Sequence, residues 1–494
     1  MASHAATIYE KHTKHIVPVP DAKRIPSTPE SKPLNAAMDQ TDPMDLNEFG
    51  YLEEEYFVSG NANVYARFEY GEDIMVKVKD APYTFRILVR KPADPKRFSG
   101  NVLVEIMNYA YKQDNPFTGW GEMDEYMLRS GDGWVGVTVR DVAVKTLKTF
   151  DPVRYAPLNC ANPIPPEQRK EYVLTHEKYG KHPEMENGLM YDVLSQVAML
   201  CRSGAAQSPF AGYDVQYLFA TGASAGNLSA YSGSVHSYAM RDDKNYVYDG
   251  FLLQMTSSTA QLNNEEPGIS VPDPRSTTRP CVPTMRVITM GDLFGVGFHR
   301  SWAIAQRRPD ADEPGNRFRL YEVAGAKVGG RDDKLVSINK ETALRAGFKD
   351  DMPGPVHEYR NYLFPIHYIQ RCAFDNLKKW VRYGIQPPYA ERMETKVGYP
   401  DGHPDKDFVL DDAGNVKGGV RSPMVDVPIA TYEWGGNIRP FGREELVRRY
   451  GSKQAYLAKF ARSLKETVEK RFILPEDAYE LLSHMVNFDF GFEW

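Results

Sequence analysis

The sequence predicts an α/β fold with a mainly parallel central sheet, helices on both of its faces, long insertions and a helical extension at the C-terminal end. Three observations predict it. From residue 102 onward, short apolar runs of strand length alternate with helix-spaced segments, the pattern of a parallel sheet covered on both sides. The pentapeptide Gly222-Ala223-Ser224-Ala225-Gly226 joins an apolar run, Tyr217-Leu218-Phe219-Ala220, to a helix-compatible run starting at Asn227. Before residue 102, β-rich runs at 52–58, 63–69 and 83–91 fit antiparallel strands opening the sheet.

Each element follows in order. Residues 1–48 are polar and dotted with proline, which suits an arm wrapped over a single domain spanning 49–494. Strands are expected at 102–107, 134–140, 214–220, 248–255, 285–290 and 318–324, with helices at 189–202 and 226–240 between them. Three stretches interrupt the alternation, at about 141–188, 256–283 and 329–362, and are rich in proline, glycine or charge. Loops this long inside a compact domain are usually lids or pocket walls, and open α/β sheets bind ligands at the strand ends where such loops sit. Residues 366–383 place Ile369, Cys372, Ala373, Leu377 and Trp380 on one helical stripe. An irregular β-rich wrap at 384–435 follows, then helices at 443–472 and 476–486, with Pro475 tolerated in the first turn.

Composition narrows the function. The 494 residues are 42% hydrophobic and carry a formal net charge of −6, which argues against a nucleic-acid partner or an anionic membrane surface. No 18-residue apolar run predicts a membrane span. The start, Met1-Ala2-Ser3-His4, has no basic region followed by an apolar stretch, so a cytoplasmic protein is expected. The four cysteines, Cys160, Cys201, Cys281 and Cys372, are scattered and form no CxxC pair; neither a disulfide frame nor a metal site is expected. No phosphate-cradling glycine loop is present, so no cofactor is expected.

Strand, sharp turn and helix with Ser224 at the apex make the nucleophile elbow of an α/β-hydrolase. Residues two before and two after the serine pass close together, so both are glycine. The kink exposes Oγ, and the N–H of Ala225 points where an oxyanion would form. A serine hydroxyl needs a base. In this fold the chain order is Ser, acid, His. Asp292, in Gly291-Asp292-Leu293 after the strand at 285–290, is the expected acid. The base should follow the strand at 318–324, yet that strand runs into Gly325-Ala326-Lys327-Val328-Gly329-Gly330 with no histidine. His367, near a helix start, ranks first among the candidates and His357 second. His299, early in the segment after Asp292, and Lys327, a possible lysine base, are further alternatives. His236 and Asp292 also have plain structural readings, as a packing ring and a turn residue. The second oxyanion donor should come from the loop after the strand at 102–107, near Tyr109, with Asn108 bracing that loop. Tyr109, Tyr111, Phe117 and Trp120 suit either an apolar pocket wall or core packing.

The stretches Val104–Asn108, Val135–Val137, Phe150–Tyr155, Gly222–Gly226, Phe318–Gly325, Trp380–Gly384 with Pro387-Pro388, Gly414–Arg421 and Leu474–Ala478 together resemble α/β-hydrolase domain proteins of the Abhydrolase-10 type. The resemblance covers most of residues 50–490. It implies one elaborated catalytic domain and hydrolase activity. Proteins resembling this one carry His about where Val328 stands and Glu about where Met290 stands, so two triad positions depart from the pattern here.

The combined expectation is a serine hydrolase cleaving a carboxylic ester or lactone of an apolar small molecule. Ser224 attacks, His367 moves the proton, Asp292 supports it, and Ala225 with Tyr109 holds the oxyanion. Two alternatives stay open: a lyase or C–C/C–O bond-cleaving enzyme with a non-standard triad, and a non-catalytic ligand-binding protein. Oligomeric state is left open.

Overall fold

A computed structural model describes residues 8–67, 73–109, 114–170, 182–223, 226–255, 261–266, 280–294, 307–326, 338–349, 364, 366–396, 408–433 and 437–493. The chain forms two compact units. The first comprises residues 1–253, 258–282 and 335–354, and the second 254–257, 283–334 and 355–494.

The first unit is built on a sheet of strands β1 (Asp21–Ile25), β2 (Tyr51–Arg67), β3 (Ile74–Pro92), β4 (Asn101–Ile106), β5 (Gly133–Val137), β6 (Tyr217–Ala223) and β7 (Gly250–Gln254). Their order is β7-β6-β4-β5-β3-β2-β1. β4 runs parallel to both β5 and β6, whereas β1, β2 and β3 pair antiparallel, as does β3 with β5. The antiparallel opening runs therefore lie where the alternation placed them. The runs at 52–58 and 63–69 differ from expectation in being one strand. β2 continues through Gly60, and a register shift between Ala62 and Val64 absorbs the break in alternation. A bulge costs the ladder little and bends the strand, so a long hairpin survives what looks like a turn in sequence.

β4, β5, β6 and β7 are buried along their lengths apart from Tyr217 at the start of β6, which explains their near-continuous apolar runs. Helices α1 (Trp120–Ser130), α2 (Asp141–Phe150), α3 (Met190–Arg202) and α4 (Gly226–Ser232) accompany them. α4 ends well before residue 240. Gly233 follows it, and a 3-10 turn at Val235–Tyr238 leads into Ala239 and Met240, which pair with His15 and Ile16 of the N-terminal arm.

A buried polar network ties that arm down. Arg86 donates from Nε to Glu55 Oε1 at 2.6 Å and from Nη2 to the carbonyl of Leu34 at 2.6 Å. Arg154 Nε donates to the other Glu55 oxygen at 2.7 Å, and the Tyr155 hydroxyl donates to Glu55 Oε1 at 2.8 Å. Arg86 and Glu55 are essentially unexposed, so each needs the other to offset desolvation.

Of the three insertions, 141–188 begins with α2, and 338–349 contains a short helix at Lys340–Arg345. Residues 171–181, 256–260, 267–279, 329–337 and 350–362 lie outside the described residues. Glu186 links what remains: its Oε1 accepts from the N–H of Gly188 at 2.8 Å and of Asn264 at 3.0 Å.

The second unit holds two parallel strands, β8 (Thr284–Thr289) and β9 (Phe318–Val323), paired from Thr284↔Phe318 to Thr289↔Val323. A short helix, α5 (Met290–Phe294), leaves β8 directly. Helix α6 (Ile366–Tyr383) lies where its apolar stripe predicted and packs against β8. The run at 443–472 splits into Arg443–Tyr450 and Lys453–Glu469. Gly451 takes φ +80, and the Ser452 hydroxyl caps the second helix by accepting from Ala455 N, a helix stop followed at once by a helix start. Pro475–Val486 ends the helical extension. Among the described residues no helix is long and apolar enough to cross a membrane, and no group of three His, Cys, Asp or Glu could hold a metal ion.

Candidate active site

β6 ends at Ala223 and α4 begins at Gly226. Only two residues separate a central strand from a helix, the tight connection that a nucleophile elbow requires. Those two are Ser224 and Ala225, and both lie outside the described residues, as do His299, Lys327, His357 and Tyr111.

The neighbouring strand, β4, pairs with β6. β4 leaves the sheet at Ile106, and the chain returns as α1 at Trp120. The loop between is pinched at its base. Asn108 and Asn115 exchange two backbone hydrogen bonds, at 2.8 and 2.7 Å. Met107 N donates to the carbonyl of Val137 at 3.1 Å, which continues the β4–β5 ladder into the loop. The Asn108 side chain donates to the carbonyl of Ala223 at 3.4 Å. The loop carrying Tyr109 is therefore tethered to the residue immediately before Ser224. Tyr109 has the guanidinium of Arg140 4.6 Å from its ring centre.

Two buried carboxylates frame this loop. Asp114 takes φ +48, a left-handed conformation that Asp tolerates. Its Oδ2 accepts from the Thr138 hydroxyl and from Arg86 Nη1. Burial lifts its carboxyl to about 6 against the pull of Arg86. Glu105, on β4, has an Oε1 that accepts from Gly119 N at 2.7 Å. Its Oε2 accepts from Trp120 N at 3.0 Å and Trp134 Nε1 at 2.9 Å. Burial raises this carboxyl to about 7, while the N–H donors pull it down. Trp120 packs on Trp134 with ring centres 5.7 Å apart, and the Arg90 guanidinium lies 4.6 and 5.0 Å from the two rings. Trp120 is thus part of a packed layer around Glu105.

Sequence reasoning passed over Glu105 as a site residue. The signal was present: one carboxylate inside the otherwise apolar run Val102-Leu103-Val104-Glu105-Ile106, where an unpaired charge would be costly.

Asp292 and His367 belong to the second unit. Asp292 is buried at the start of α5. Its Oδ2 accepts from Thr289 N at 2.7 Å and Thr289 Oγ1 at 2.9 Å, while Asp292 N donates back to Thr289 Oγ1 at 3.1 Å. Thr289-x-x-Asp292 is a capping box that closes the first turn of α5. Burial raises the Asp292 carboxyl to about 6. Among the described residues the Asp292 side chain is hydrogen-bonded to Thr289. His367 is buried at the second residue of α6, its ring centre 4.1 Å from that of Tyr368. His236 is fully buried among Tyr231, Tyr246, Tyr248 and Phe251, with Nε2 accepting from Tyr248 N at 3.3 Å.

Among solved structures, a protein provisionally named dienelactone hydrolase from Klebsiella pneumoniae aligns over 59% of this chain and 95% of its own, at 11% identity and TM-score 0.31. Acetyl xylan esterase 1 from Thermoanaerobacterium covers 55% and 76%, at 9% identity and TM-score 0.28. A glucuronoyl esterase from Teredinibacter turnerae covers 64% and 77%, at 9% identity and TM-score 0.29. No curated protein matches the sequence significantly. The family profile described as alpha/beta hydrolase domain matches residues 17–483, nearly the whole chain. This chain belongs to the alpha/beta hydrolase domain family.

Proposed function

We propose that this protein is a serine hydrolase that cleaves a carboxylic ester or lactone of an apolar small molecule through an acyl-enzyme on Ser224. The observation that carries the reading is the two-residue connection between β6 and α4, with Ser224 inside it and the Asn108 loop tethered to Ala223 beside it. In the proposed reaction Ser224 Oγ attacks the carbonyl carbon and gives its proton to a base. The N–H groups of Ala225 and Tyr109 receive the developing oxyanion. The alcohol leaves with the proton, and water then releases the carboxylic acid and restores the serine.

His367 is the first candidate for the base, with His357, Lys327 and His299 behind it. Asp292 is the candidate acid, its Oδ2 engaged by Thr289. The test is covalent labelling with a fluorophosphonate probe. Labelling at Ser224 that disappears in Ser224→Ala supports the reading. Failure of the wild-type protein to label, with intact ligand binding, would leave a binding protein on a hydrolase frame. Turnover of a substrate that survives Ser224→Ala would point instead to a lyase. Labelling that persists in His367→Ala moves the base to His357, Lys327 or His299.

A further inference from the structure

We infer that Glu105 is a positioning residue for the oxyanion loop, holding the Tyr109 segment in place beside Ala223 at the end of β6. This rests on the serine-hydrolase reading above. Glu105 sits one residue before the end of β4, and its side chain reaches across the loop to the start of α1. Gly119 and Trp120 are the cap and first residue of that helix, and their N–H groups are among the donors that a helix leaves unmet. One carboxylate meets both and also accepts from Trp134 on the adjacent strand β5. The exit of the loop is thereby fastened to the strand from which the loop began.

The fit leaves no slack. A Cβ on Gly119 would overlap the Glu105 carboxylate, meeting Cδ at 2.6 Å. Glycine at 119 is what lets the carboxylate reach both amides. Pro116 O accepts from Gly121 N at 2.9 Å, which adds a second tie at the same end. At the other end Met107 N is bonded to Val137 O, and Asn108 pairs with Asn115. The segment that carries Tyr109 is thus clamped on both sides, and Asn108 passes that placement to Ala223.

A carboxylate is a costly way to fill a core position, and its hydrogen-bond partners here are neutral N–H groups rather than a cation. An apolar residue would fill the volume but could not hold the two amides that fix where α1 begins. An oxyanion donor must be preorganised, because an N–H displaced from the position of the developing oxyanion loses the stabilisation that it gives the transition state over the ground state.

The test is the kinetics of fluorophosphonate labelling at Ser224, separating the maximal rate from the half-saturating probe concentration. Glu105→Gln keeps the shape but replaces one acceptor oxygen with a donor that faces an N–H. It should lower the maximal rate by about 10- to 100-fold, as expected for a misplaced oxyanion donor, with half-saturation within about twofold. Tyr51→Phe is the control. It removes a buried hydrogen bond to Met127 O at the far end of the same helix and should cost stability without changing the rate. If Glu105→Gln does not fold, Gly119→Ala decides, since its Cβ displaces the carboxylate while leaving it ionisable. A folded Glu105→Gln or Gly119→Ala protein with the wild-type rate overturns the inference. So does a loss of rate in Tyr51→Phe equal to that in the Glu105 variant, which would make the effect one of general stability. Wild-type protein that takes no label at Ser224 removes the hydrolase reading itself, and this inference with it; wild-type labelling with an unaffected Glu105 variant removes only the inference.

Discussion

Replacing His236 by phenylalanine should flatten the pH dependence of stability. The ring is fully buried in an aromatic cluster, with Phe251 at 4.8 Å and Tyr246 at 5.3 Å between ring centres. Burial holds its pKa down, from 6.5 to about 3, and one hydrogen bond from Tyr248 N does not offset this. The folded pKa is depressed, so the folded state binds the proton less readily than the unfolded chain. The stabilising contribution is complete above about 6.5 and is lost as pH falls toward 3. At pH 5 the unfolded imidazole is almost fully protonated and the folded one is not, which costs the wild-type protein about 2 kcal/mol relative to pH 8. The variant has no such titration. Removing the acceptor for Tyr248 N costs the variant stability at both pH values equally, so that cost cancels in the difference. Urea unfolding of both proteins at pH 8 and pH 5 gives four free energies. The wild-type loss on acidification should exceed that of the variant by about 2 kcal/mol. The buried carboxylates Glu105 and Glu186 and the buried ring of His12 also titrate differently on folding, but they are common to both proteins. Equal losses in wild type and variant would refute the reasoning, because they would mean that the ring is solvated or protonated in the folded protein.

Two further predictions follow from buried polar groups. Arg86→Ala leaves Glu55 without its Nε partner and the Leu34 carbonyl without a donor; destabilisation by about 3–5 kcal/mol is expected, read as a shift in the urea midpoint, with increased proteolysis of the N-terminal arm. Asp292→Asn weakens the Thr289 capping box and should cost about 1 kcal/mol of stability. If Asp292 also orients the base, ester turnover in that variant falls by about 10⁴-fold, whereas a capping role alone leaves turnover of the folded protein unchanged.

Local chemistry made much of the fold legible. The stripe from Ile369 to Trp380 marked a helix at 366–383, and the structure has a helix over those residues. The apolar run before Gly222 and the helix-compatible run after Gly226 marked a strand and a helix, and β6 and α4 lie there. Boundaries were less legible where distant contacts decide them. α4 stops at Ser232 because the chain that follows pairs with His15 and Ile16, more than two hundred residues away in sequence. β2 runs unbroken through Gly60 because nineteen residues of β3 lie alongside it.

The site divides in the same way. A serine two residues from a glycine on either side, between a strand and a helix, is legible in the sequence, because the flanking apolar run and helix-compatible run are local patterns. Glu105 reads in sequence only as a charge in an apolar run. Its hydrogen bonds reach Gly119 and Trp134, fourteen and twenty-nine residues further along, and pairings at that distance are set when strands and helices pack. Thr289 and Asp292 stand between the two cases: their spacing spells a capping box, but only the folded chain shows that the box engages one carboxylate oxygen. Backbone preference and periodicity act within one turn or one strand, and so are written in the sequence. Hydrogen bonds between buried groups act across the core, where the tertiary structure alone decides which donor meets which acceptor.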